Sequence, residues 1–109
     1  MELKDLLKFI EVEDKRLKKY YGIYTDQEKI ILARTVKLTE ELGELCEEIL
    51  SYVSLQRKEK LGNRGKKNLP EEFADIIITT LLLAKTMNVD VEKALGKKIE
   101  EISRRYEKV

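Results

Sequence analysis

Apolar residues recur every three or four positions along most of the chain, and no stretch alternates apolar and polar residues as a half-buried strand would. The pattern predicts four helices. The first runs from Leu3 to about Tyr20, with Leu6, Leu7, Ile10 and Leu17 on its inner face, and Gly22 ends it. Thr25 or Asp26 caps the second, with Glu28 three residues after Thr25 as in a capping box. That helix is predicted to reach about Leu55 on an apolar stripe of Leu38, Leu42, Leu45 and Ile49. Residues 57–69, RKEKLGNRGKKNL, carry two glycines and six Lys or Arg and read as a loop. Pro70 suits the first turn of a third helix, with Glu71 and Glu72 against its positive end. This helix runs to about Met87 and is apolar nearly all round, at Ile76, Ile77, Ile78, Leu81, Leu82 and Leu83. Asn88 closes it, and Asp90 caps a fourth helix that reaches about Tyr106.

Four such helices predict an all-α fold, a four-helix bundle-like protomer forming one domain over residues 1–109. A helix that is apolar on every side needs cover on every side. A second copy is therefore expected to complete the protomer, as a homodimer or homotetramer.

Composition narrows the chemistry. Lys and Arg number 22 against 21 Asp and Glu, a net charge of +1, so no strong field favours a nucleic acid polymer or an anionic membrane. The longest apolar run, Ile76 to Ala84, is interrupted by Thr79 and Thr80 and is far short of a membrane span. Cys46 is the sole cysteine, which excludes an intrachain disulfide; with no leader-like start to the sequence, a cytoplasmic protein is expected. Histidine is absent, and with it the commonest general base and transition-metal ligand. Chemistry falls to carboxylates, Lys, Arg, Tyr, hydroxyls or Cys46. Beside Leu45 and without a base to activate it, Cys46 reads as a small core residue.

Carboxylates are abundant in TEELGELCEEI, residues 39–49, at positions 40, 41, 44, 47 and 48. Helical residues three or four apart share a face, so Glu41 lies with Glu44, and Lys37 and Glu48 each extend that face by a turn. Gly43, between the pair, costs a helix about 1 kcal/mol against alanine, and is expected to admit a close backbone or ligand. Glu72 and Asp75 repeat the three-residue spacing on the third helix, and Asp75 sits in FADIIITTLLLA, whose apolar neighbours predict its burial. Facing each other on antiparallel helices, the two pairs would form four carboxylates that stay ionised together only with cations between them. Oxygen donors without imidazole or thiolate select Mg²⁺ or Mn²⁺. The same spacing also describes a solvated glutamate face, and spacing alone leaves both readings open.

Glu40-Glu41-Leu42-Gly43-Glu44 followed, after a basic stretch, by Glu72-Phe73-Ala74-Asp75 resembles the E-E-x-x-E … E-x-x-D signature of MazG-type nucleoside triphosphate pyrophosphohydrolases, of the all-α NTP pyrophosphatase superfamily. The likeness extends over residues 30–106. It implies Mg²⁺-dependent hydrolysis of a nucleoside triphosphate between the α and β phosphates, giving a monophosphate and pyrophosphate. By matching position it implies Glu41, Glu44, Glu72 and Asp75 as metal ligands, Glu40 in support beside them, and Lys98 and Arg105 near the phosphates. One departure stands out: Ile102 occupies the place where many members have Asn, so one polar contact is missing or supplied by Ser103.

With no histidine, Glu41 or Glu44 is expected to orient the attacking water. If the second helix runs to Leu55, Glu44 is about 16 Å from its end while Glu72 is within a turn of the third helix's start. Residues 57–69 would then have to run back along the bundle, or the second helix would have to end early. Either course brings Arg57, Lys58, Lys60, Arg64, Lys66 and Lys67 towards the acids, where some of them, Arg64, Lys66 and Lys67 foremost, are expected with Lys37 to bind the triphosphate; a solvated loop is the alternative. Two other classes stay open: an inactive helical dimer that binds a divalent metal or a nucleotide, and a helical interaction module whose charges only confer solubility.

Overall fold

The structure, a computed structural model, describes residues 1–20, 26–53 and 64–107, with the backbone alone for 64–68. The fold is all-α: α1 Leu3–Tyr20, α2 Gln27–Tyr52, α3 Arg64–Thr86 and α4 Val91–Arg104. Gly22, Thr25, Arg57, Lys58 and Lys60 lie outside the described residues.

The helix ends follow local chemistry. Asp26 caps α2 by accepting from the Glu28 N–H at 2.9 Å, and Asp90 caps α4 through the Lys93 N–H at 3.0 Å. Asn88 ends α3 in a left-handed conformation, φ 56°. The Asn88 and Val89 N–H groups then reach back to the Lys85 and Ala84 carbonyls, the two bonds of a Schellman motif.

The start of α3 corrects the expected boundary. It begins at Arg64, so Pro70 lies inside the helix rather than in its first turn. Proline φ is helical; what Pro70 forfeits is one N–H bond to the carbonyl a turn earlier. The longer helix removes the need for a returning loop. Glu44 stands eight residues before Tyr52 and Glu72 eight residues after Arg64, so each is about 12 Å from the end of its helix.

α2 and α3 pack as an antiparallel pair, and α1 lies against α3. Ile10, Leu81 and Leu82 form the centre of the core, with Leu6, Leu7, Leu17, Ile78 and Val91 packed around them. Each fully buried aliphatic side chain contributes about 1.5–3 kcal/mol. The core is small, and apolar surface remains outside it. On α4, Leu95, Ile99 and Ile102 are exposed; so are Leu32 and Val36 of α2 and Phe73 and Ile77 of α3. The Cα radius of gyration is 17.4 Å, whereas a compact chain of this length would have about 13 Å.

α2 is rotated from the expected stripe. Leu45 is 7% exposed but Leu42 is 50%, and the buried positions are Ile30, Glu41, Leu45 and Glu48. Two glutamates of the acidic stretch therefore face the protein interior. Cys46 is exposed, not in the core, because it falls on the opposite side of that face. A side chain at Gly43 would meet no atom of the described residues, so no close approach among them explains the glycine.

Candidate active site

The antiparallel register of α2 and α3 decides which acids meet. Arg34 on α2 reaches the Leu82 carbonyl on α3 at 3.3 Å. Seven residues further along α2 is Glu41, and seven residues back along α3 is Asp75; seven residues are close to two turns, so both return to the shared groove. Glu41, Glu72 and Asp75 each bring a carboxylate oxygen within 4.8 Å of the others'. Glu41 is buried and Glu72 half-buried, whereas Asp75 is exposed. The expected burial of Asp75 is corrected here. Phe73, Ala74 and Ile77 beside it are exposed too, so this turn of α3 lies at the surface despite its apolar sequence.

Electrostatics in the groove are unfavourable to a bare set of carboxylates. Among the described residues, no hydrogen-bond donor meets Glu41 Oε2 or Glu72 Oε2, both of them buried oxygens. Burial raises the Glu72 pKa, and the charges of Glu44, Asp75, Glu41 and Glu48 raise it further. Glu44 is exposed at the edge of the groove, close enough to act on Glu72, and its oxygens are not among the three that converge. Buried oxygens lacking donors, all of them hard ligands, suit a small divalent cation such as Mg²⁺ or Mn²⁺.

Lys37 supplies positive charge from within the chain. Its Nζ is 3.0 Å from Glu41 Oε1 and 3.8 Å from Glu40 Oε2. The hydrogen bond to Glu41 raises the Lys37 pKa, against the opposing effect of desolvation. Glu40 is exposed on the flank, as its angular offset from Glu41 requires.

The other basic residues expected near phosphate are more dispersed. Lys98 and Arg105 lie on or just beyond α4, paired with Glu101 at 3.3 and 3.7 Å, and neither is among the charges acting on Glu72. Arg64, Lys66 and Lys67 are on the first turns of α3, where the backbone alone is described.

Sequence reasoning missed Arg34. Its Nη1 is 2.6 Å from Asp14 of α1 and also contacts Thr86 and the Leu82 carbonyl of α3, joining three helices. A local signal exists: Ile30, Arg34, Lys37, Glu41, Leu45 and Glu48 follow one helical face, so a cation sits where an apolar residue would be expected. Asp14, also buried, carries the same signal, since Leu7, Ile10, Asp14 and Leu17 follow one face of α1.

The uncharacterized protein YpjD of Bacillus subtilis (strain 168) is 30% identical over 76 residues, covering 70% of this chain and 67% of that one. No solved structure gives a significant match. The family model for the MazG nucleotide pyrophosphohydrolase domain matches residues 31–109, a stretch that contains all of the acidic groove and leaves α1 outside it. The chain belongs to the MazG nucleotide pyrophosphohydrolase domain family.

Proposed function

We propose that the chain hydrolyses nucleoside triphosphates between the α and β phosphates, releasing a nucleoside monophosphate and pyrophosphate. The observation that carries this reading is the convergence of Glu41, Glu72 and Asp75 across the α2–α3 groove. These three residues would hold Mg²⁺ or Mn²⁺, with Glu44 beside them. The bound cation supplies charge neutralisation on phosphate oxygens and makes water easier to deprotonate.

The chain's own residues divide the remaining work. Glu44, at the exposed edge, orients the attacking water and accepts its proton; the water oxygen bonds to the α-phosphorus as the bond to the pyrophosphate oxygen breaks. Lys37 fixes the Glu41 carboxylate and offers its remaining N–H donors to phosphate. Arg64, Lys66, Lys67, Lys98 and Arg105 are proposed to neutralise the phosphate tail, some of them on the second subunit of a homodimer or homotetramer. The exposed apolar faces of α2, α3 and α4 support such an assembly. The free thiol of Cys46 accords with a reducing cytoplasm.

Incubation with Mg²⁺ and a panel of canonical and modified triphosphates tests the reading. Monophosphate with pyrophosphate is expected. Orthophosphate as the primary product, or no product from any nucleotide, would overturn it.

A further inference from the structure

Next to the carboxylates, in the same groove, α1, α2 and α3 line a half-open cavity of about 330 Å³. Its walls are apolar, from Leu17, Ile30, Ala33 and Leu82. Its polar residues are Lys18, Arg34, Lys37 and Thr79. We infer that this cavity receives the nucleobase of the triphosphate and selects bases that present carbonyl oxygens, such as hypoxanthine, over adenine. The inference rests on the triphosphate reading above and adds the specificity that reading leaves open.

Three observations carry it. The first is position. Lys37 lines the cavity and bonds Glu41 one turn further along α2, while Thr79 follows Asp75 by one turn on α3. One turn is about 5.4 Å, a gap that a sugar ring bridges between base and phosphate. The second is size. Small-molecule sites run from about 300 to 1,000 Å³, and this cavity is at the lower end, suited to a base rather than a whole nucleotide.

The third is the sign of the polar groups. Ammonium and guanidinium groups only donate hydrogen bonds, the Thr79 hydroxyl can donate or accept, and no carboxylate or amide side chain is among the described lining residues. These donors are held in place. Lys18 Nζ is 3.0 Å from Asp14 Oδ2, Arg34 is fixed by Asp14 and Thr86, and Lys37 by Glu41. A 6-oxo group can accept from such a rim; the 6-amino group of adenine would set donor against donor. Leu17 and Lys18 precede residue 31, where the family match begins, so this wall belongs to the part of the chain the family model does not cover.

Inosine and adenosine, which differ at that position and carry no phosphate for the acids to repel, provide the test. Titrated into the metal-free protein and followed by NMR shift changes, inosine should bind at least about tenfold more tightly than adenosine. Ala33→Phe, which fills the cavity, should abolish inosine binding. Lys18→Gln, a change at a half-exposed residue that keeps the apolar core and the Arg34–Asp14 pair, should narrow the difference between the two nucleosides even if Ala33→Phe fails to fold. In turnover, kcat/KM for ITP should exceed that for ATP by a similar factor. Equal binding, undetectable binding of both, an unaltered Lys18→Gln preference or faster turnover of ATP would each overturn the inference. Inosine binding of the expected rank in a protein that cleaves no triphosphate would instead sink the hydrolase reading and leave the cavity assignment standing.

Discussion

Arg34 Nη1 stands 2.6 Å from Asp14 Oδ1, and both side chains are nearly buried, 11% and 7% exposed. The pair ties α1 to the α2–α3 hairpin, since Arg34 also contacts Thr86 and the Leu82 carbonyl. Removing one partner strands the other in a poorly solvated place. Asp14→Ala is expected to cost about 3 kcal/mol of unfolding free energy. Pairing Asp14→Leu with Arg34→Met should recover most of that loss. Urea unfolding of the single and double variants checks this; equal losses would show that the ion pair itself, rather than the stranded charge, holds the helices.

Stability should fall in acid because of the same aspartate. Burial alone would raise the Asp14 pKa, but hydrogen bonds from Arg34 and Lys18 outweigh it and hold the carboxyl below its ordinary 3.8. A depressed folded pKa contributes stability that is full above the unfolded value and lost as pH falls through the folded one. The stability gap between the wild type and Asp14→Asn should therefore shrink as pH drops below 3.8. Unfolding curves from neutral pH downwards measure the gap; a constant difference would contradict the linkage.

Cations should stabilise the fold through the acidic groove. Mg²⁺ or Mn²⁺ at 100 times its Kd would add about 2.7 kcal/mol, a rise in Tm on the order of 10 °C for a domain of this size. Glu72→Gln should raise the metal-free Tm, because it relieves repulsion from Glu44, Asp75 and Glu41, and should suppress the metal-induced rise. Calorimetric melts with and without the cation decide both points.

Turnover should separate the residues by role. Lys37→Met, which frees the Glu41 carboxylate from its anchor, is expected to lower metal affinity or activity by about 10- to 100-fold. Glu44→Gln and Asp75→Asn should lose more while remaining helical. Pyrophosphate release alongside circular dichroism gives the comparison, and full activity in Asp75→Asn would rule it out as a ligand.

Assembly can be read from one apolar residue. Ile99 lies near the middle of α4, 62% exposed, so Ile99→Glu leaves the chain's own core untouched. It should convert the proposed dimer or tetramer to a monomer in light scattering. A monomeric wild type would remove the case for a second subunit.

The sequence by itself determined what short-range physics controls. Helical periodicity, the caps at Asp26 and Asp90, and the left-handed stop at Asn88 each depend on a few neighbouring residues. The three-residue spacings Glu41/Glu44 and Glu72/Asp75 follow from the same periodicity, which is why the acidic motif was readable. Only the tertiary structure decided which face of α2 turns inward, that Leu42 and Asp75 are at the surface while Glu41 and Glu48 are buried, and that Arg34 meets Asp14. It also created the cavity, from residues as distant as Leu17, Ala33 and Thr79. Periodicity fixes angles around one helix axis; the rotation and register of one helix against another depend on the packing of both surfaces, which no single segment encodes.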